Sequence, residues 1–275
     1  MPTISVSGTT VSYSAIGHGP GLVFVAGTGL PALVNFGHLT PVFHDRRTVV
    51  LPDYAGSGES TGPEGELTVE LLAEQIAAAT EAGADGPVDL VGYSLGAVVA
   101  AAVAATRPEL VRRLVLIAGW PDPDDARHQL AIDLWQRLEL ADHDLFTRFL
   151  QLSCLSAPFL SGIGPAGVAQ LIDNAPPITP GMRQHIDLDR RADLRPLLPK
   201  ITAPTLVIGL TRDQVIPVER VRQLHEAIAG STYAEIDSGH LVVFERAEEL
   251  VGLLRTYLLD DETADPTPVA GVAAA

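Results

Sequence analysis

Cysteine is almost absent: Cys154 stands alone among 275 residues, so no disulfide can form within the chain and stability has to come from a packed core. A lone thiol of this kind is read as buried and structural. Lysine is equally scarce, with Lys200 the only one, and 34 acidic residues against 18 Lys and Arg leave a formal net charge of −16. That balance opposes binding to nucleic-acid phosphates or an anionic membrane surface. The arginine pairs Arg46-Arg47, Arg112-Arg113 and Arg190-Arg191 are too short to form a basic stripe. Long apolar runs are missing too, since the longest, Leu95 to Ala105, falls well short of the ~20 residues of a membrane span. Met1 to Thr10 has neither a basic start nor an apolar stretch, so no secretory leader is expected and a cytoplasmic location is. No histidine pair stands at metal-ligand spacing with a carboxylate, and no metal is expected.

What is present is a hydrophobic fraction of 47%, enough for one large core with an insertion. Thr3 to Val6 and Thr10 to Ser14 alternate as a hairpin about Gly8. Continuous apolar runs at Gly21 to Val25 and Thr48 to Leu51, together with Val88 to Val91, read as buried strands, and Leu114 to Ala118, Pro204 to Ile208 and Thr232 to Ile236 read as further strands. Helical periodicity lies between them, at Asn35 to Phe43, Thr68 to Ala82, Leu95 to Thr106, Val218 to Ile228 and Ala247 to Leu259. Strand and helix in alternation predict an α/β fold with a mostly parallel, doubly wound sheet. Residues 121–199 hold helical segments but no convincing strand, so they read as a helical cap inserted into a core of residues 1–120 and 200–259. The stretch 260–275, acidic and then rich in Pro and Ala, predicts a disordered tail.

The most informative stretch is Asp89-Leu90-Val91-Gly92-Tyr93-Ser94-Leu95-Gly96-Ala97, where strand gives way to helix through one serine flanked by glycines. Only glycine fits two residues before and two after a serine in so sharp a turn, which is the logic of the G-x-S-x-G nucleophile elbow. Glycines flank serines by chance as well, but here a strand precedes and a helix follows. From about Gly19 to Leu259 the chain resembles the α/β-hydrolase family.

The resemblance implies a triad in the order serine, acid, histidine. Ser94 is then the nucleophile and His240, in Asp237-Ser238-Gly239-His240 before the last helix, the base. Asp213, in Thr211-Arg212-Asp213-Gln214 after a strand, is the acid that the family pattern favours, with Asp122 as its rival. The other seven histidines lack such a setting and read as surface or helix-face residues, with His38 open to a place near the oxyanion loop. The resemblance also assigns the oxyanion donors to the backbone N–H groups of Leu95 and Thr28. Relatives commonly carry His-Gly where this chain has Ala26-Gly27, which weakens the second assignment. Trp120, Trp135, Phe146 and Phe159 are the expected pocket-lining residues of the cap.

The expected activity is cofactor-free hydrolysis of a small or medium apolar ester or lactone through an acyl-enzyme, with a small-molecule substrate as partner and a homodimer left open. Serine at the elbow and no tyrosine in the cap set epoxide opening and halide displacement aside. Thioester or carbon–carbon bond hydrolysis, perhydrolase chemistry, a cyclase or lyase, and a non-hydrolytic binding protein all remain open on this fold.

Overall fold

The computed structural model describes residues 1–63 and 65–259. The tail expected at 260–275 lies outside the described residues. In chain order the elements are β1 (Thr3–Val6), β2 (Thr9–Gly17), β3 (Gly21–Val25), α1 (Ala32–Phe36), β4 (Thr48–Asp53), α2 (Val69–Gly83), β5 (Val88–Tyr93), α3 (Leu95–Thr106) and β6 (Val111–Ile117). Four helices follow, α4 (Ala126–Ala141), α5 (His143–Cys154), α6 (Ala157–Asp173) and α7 (Pro180–Arg191). The chain then returns to the sheet through β7 (Thr205–Leu210), α8 (Val218–Glu226), β8 (Thr232–Ile236), α9 (Val242–Glu245) and α10 (Ala247–Leu259).

One eight-stranded sheet runs in the order β1-β2-β4-β3-β5-β6-β7-β8. Only β2 is antiparallel to its neighbours, as the alternating N-terminal hairpin requires. From β4 to β8 every pairing is parallel. The chain moves one way from β3 to β4 and the other way from β5 onward, so a crevice opens at the carboxyl ends of β3 and β5. Successive side chains of a strand face opposite sides, and the core divides accordingly. Val23 and Val25 pack with α2 and α3 on one face, while Leu22 and Phe24 pack with α1 and α10 on the other. Helix α3 is buried from Leu95 to Ala105, which explains why it is apolar all round rather than striped.

Several boundaries differ from expectation for visible reasons. The helix expected over Asn35 to Phe43 is α1 followed by a separate 3₁₀ turn at Thr40–Val42, because Pro41 cannot continue an α-helix and starts the tighter turn. Strand β7 extends past Ile208 through Gly209 to Leu210, which pairs with Ile236. Thr68 caps α2, its side chain accepting from Leu71 N–H. Among the described residues no helix is long and apolar enough to cross a membrane.

Candidate active site

Ser94 leaves β5 with φ 56° and ψ −122°, a left-handed backbone that a non-glycine residue adopts at a cost of about 1–3 kcal/mol. The turn is held by its surroundings. A Cβ on Gly92 would lie 2.2 Å from the Gly96 carbonyl oxygen, and one on Gly96 would lie 2.1 Å from that of Val25. Ser94 N–H donates to Ile117 O on β6 at 2.9 Å, pinning the elbow to the neighbouring strand.

Asp213 follows β7 and His240 follows β8, so both arrive at the same sheet edge as Ser94. His240 Nδ1 lies 2.6 Å from Asp213 Oδ2, and Nε2 lies 3.0 Å from Ser94 Oγ. Because a carboxylate only accepts, Nδ1 carries the hydrogen and Nε2 is left to accept from the serine hydroxyl. Asp213 Oδ1 accepts from Val215 N–H at 2.7 Å and Ile216 N–H at 2.9 Å, which fixes the carboxylate plane. The histidine loop is tethered as well. Tyr93 O–H donates to His240 O at 2.7 Å, and Glu245 accepts from Gly239 N–H and from Ser156 N–H. Asp122, the rival acid, lies elsewhere. It is paired with Arg220 at 2.7 Å and accepts from Asp124 N–H, as an acid starting a turn does. His38 does not line the cavity beside Ser94, and its Nε2 lies 2.8 Å from Val243 O.

Backbone donors border Ser94. Helix α3 begins beside it, with Ala97 N–H on Ser94 O, while Leu95 N–H has no acceptor among the described residues. In the loop after β3, Gly27 N–H donates to Asn35 Oδ1 at 3.0 Å and Gly29 N–H to His185 Nδ1 at 3.1 Å. Thr28 N–H lies between them with no acceptor among the described residues. The Thr28 hydroxyl donates to Asp189 Oδ2 at 2.7 Å.

A cavity of about 170 Å³ extends from this edge beneath α4, α5 and α7, with Thr28, Ser94 and His240 on its wall. That volume is similar to one that holds a benzene-sized ligand. Trp120, Trp135 and Phe146 line it as expected, but Phe159 does not. Phe159 belongs to α6, which buries none of its residues and therefore lies on the outside of the inserted layer. Ile132, Leu150 and Met182 from three helices and Ile178 from the loop before α7 line the cavity instead.

His128 and His185, read from sequence as surface or helix-face residues, are 2% and 0% exposed. Burial lowers the pKa of both, that of His185 to about 4. His185 Nε2 is 2.7 Å from Ala55 O, so it holds the ring hydrogen and Nδ1 accepts from Gly29. Asp189, on the same helix and also on the cavity wall, was missed altogether. Burial raises its pKa to about 7, against the opposing pull of the Thr28 hydroxyl and His240.

A sheet of this order with a strained serine at the β5–α3 turn defines an α/β hydrolase. The chain belongs to that family, whose sequence profile, described as alpha/beta hydrolase fold, matches residues 22–247. It is similar to the pyrrolizixenacetamide deacetylase of Xenorhabdus hominickii, 38% identical over 264 residues that cover 95% of this chain and 99% of that protein. It is also similar to a pimeloyl-acyl-carrier-protein methyl ester esterase of Xanthomonas oryzae pv. oryzae, 29% identical over 254 residues, 88% of this chain and 96% of that one. Among solved structures, the enol-lactonase of Burkholderia xenovorans superposes with a TM-score of 0.79 over 92% of this chain and 98% of its own, at 23% identity. That last likeness speaks for the fold alone. The chain is an enzyme of the α/β-hydrolase superfamily.

Proposed function

We propose that this enzyme is a serine hydrolase that removes a short acyl group from a compact, apolar ester or amide. The observation that carries the reading is the continuous hydrogen-bonded line from Asp213 through His240 to Ser94. In the first step Ser94 Oγ attacks the acyl carbon while His240 Nε2 takes its proton. The oxyanion that forms is received by Leu95 N–H and Thr28 N–H, two donors free of any other described acceptor. His240 then returns the proton to the leaving alcohol or amine, giving an acyl-enzyme. Water attacks that ester with His240 again as base, releasing the acid and restoring Ser94. Asp213 holds Nδ1–H throughout and stabilises the imidazolium without taking the proton.

Sequence reasoning favours an ester or lactone. The relative named as a deacetylase of an acetamide moves an N-acetyl amide to the front of the substrates to be tried. A cavity of about 170 Å³ suits an acetyl-sized acyl group with a small apolar remainder better than a long acyl chain. Two measurements test the reading. A fluorophosphonate should add once, at Ser94, in the wild-type protein and not in Ser94→Ala. 4-Nitrophenyl acetate and 4-nitroacetanilide should both be turned over, and full resistance of folded wild-type protein to all three reagents would sink it.

A further inference from the structure

The loop after β3 makes no regular secondary structure, yet Gly27 N–H, Gly29 N–H, the Thr28 hydroxyl and the Ala26 and Gly27 carbonyls all have partners, while Thr28 N–H has none among the described residues. The sheet layer supplies part of the grip: Asn35 takes Gly27 N–H, and the Tyr54 hydroxyl lies 2.9 Å from Ala26 O and 3.0 Å from Gly27 O. The rest comes from α7, in the inserted layer more than 150 residues away. His185 takes Gly29 N–H, and four residues later Asp189 takes the Thr28 hydroxyl. Residues at i and i+4 share a helix face, so one turn of α7 grips two consecutive residues of the loop. His185 is itself bolted to the core through Ala55 O and packs edge-on against Tyr54 at 5.0 Å. The approach is close. A Cβ on Gly29 would lie 2.6 Å from Met182 Cγ, and one on Gly181 would lie 2.0 Å from Gly56 O.

We infer that His185 and Asp189 are positioning residues for the second oxyanion donor: α7, rather than the β3 loop by itself, aims Thr28 N–H at the developing oxyanion beside Ser94. This rests on the serine hydrolase reading, and on Thr28 as a donor within it. Neither side chain takes part in a bond change. His185 can serve only while neutral, because Nδ1 must keep its lone pair for Gly29 N–H. Asp189 serves through one oxygen, Oδ2, and its Oδ1 has no hydrogen-bond partner among the described residues. An acceptor of the same shape without charge should therefore do the same work.

The test separates acceptor from charge. Asp189→Leu removes the acceptor, Asp189→Asn keeps one, and Thr28→Val cuts the same link from the loop side if Asp189→Leu does not fold. With 4-nitrophenyl acetate, Asp189→Leu or Thr28→Val should lose kcat by about 10- to 100-fold, less than the loss of a whole oxyanion donor. KM should change little, and the rate of fluorophosphonate labelling should fall in parallel, because both reactions place charge on the same oxygen. Asp189→Asn should recover most of that loss. Because Asp189 and His240 feel each other's charge, any shift in the midpoint of rate against pH should be shared by Asp189→Leu and Asp189→Asn, whereas the loss of kcat should belong to Asp189→Leu alone. His185→Phe, which cannot accept from Gly29, should behave like Asp189→Leu. Wild-type kcat and labelling rates in folded Asp189→Leu and Thr28→Val would overturn the inference and leave the hydrolase reading intact. A shifted pH midpoint with an unchanged labelling rate would overturn it too, pointing to an electrostatic effect on His240. Wild-type protein that neither labels nor turns over substrate would remove the hydrolase reading itself.

Discussion

Replacing Asp189 by Asn should stabilise the protein above neutral pH and do so less and less as the pH falls. Burial is the main reason that the Asp189 carboxyl holds its proton up to about pH 7 when folded, while the unfolded chain releases it near 3.8. A folded-state pKa raised in this way means that the native state binds more protons than the unfolded one between those values, so stability is present below pH 3.8 and is lost as pH rises through 7. Three decades of proton affinity at about 1.4 kcal/mol each amount to about 4 kcal/mol at pH 8. Near pH 4.5 most of that cost is absent, leaving about 1 kcal/mol. Asn has the same shape, keeps an acceptor for the Thr28 hydroxyl and never ionises. Its advantage over Asp should therefore grow by about 3 kcal/mol between pH 4.5 and pH 8. Urea unfolding of both proteins at the two pH values measures this directly, because every other titrating group is common to the pair. A stability difference that is constant across the range would refute the argument, and Asp189 would then be ionised at its site throughout.

Asp213→Asn should cost several powers of ten in kcat, because Val215 and Ile216 N–H hold the amide oxygen and turn its NH2 toward His240 Nδ1, forcing the wrong tautomer, whereas Asp122→Asn should cost stability through the lost Arg220 pair and little rate. The reverse ranking in steady-state assays would reassign the acid. Gly96→Ala should leave little folded protein or abolish labelling, since its methyl would enter the Val25 carbonyl at 2.1 Å; normal labelling of a folded variant would deny the crowding argument. Phe146→Ala should lower stability by about 3–5 kcal/mol and alter substrate choice, while Phe159→Ala should change neither greatly, as a melting curve and the two acetyl substrates would show.

The sheet was legible because its strands are read by a local rule. Gly21 to Val25 and Leu114 to Ala118 are unbroken apolar runs, and a parallel strand covered on both faces requires such a run wherever it lies in the chain. The elbow was legible for a related reason: its two glycines answer to atoms within a few residues or on the adjoining strand, so the constraint is written close to Ser94. His240 and Asp213 are 27 residues apart and need the family order to be joined, and their 2.6 Å contact is what favours Asp213 over Asp122 in the proposed triad. Phe159 shows the limit. An aromatic residue on a helix announces burial, but whether it faces a cavity or lies half-exposed on an outer layer depends on which helices cover which, and α6 is covered by nothing that buries it.

The residues that were missed share a different cause. Pro180–Arg191 reads as a polar helix, and a polar helix is ordinarily a surface one, yet its buried face is His185, Ile186, Leu188 and Asp189. Two of these four titrate, and no periodicity rule distinguishes a buried acceptor from a solvated one. What makes them necessary is on the other side of the contact: Gly29 N–H and the Thr28 hydroxyl are polar groups in a loop with no ladder of its own, and such groups must find acceptors when they are covered. The demand arises at residues 28–29 and is met at 185–189, so neither segment explains itself alone. On the proposed role of His185 and Asp189, the inserted helices do more than cover the cavity. Changes in α7 should act on the chemical step, whereas changes at Trp135 or Phe146, which line the cavity and pack edge-on against each other, should act first on which molecule is accepted.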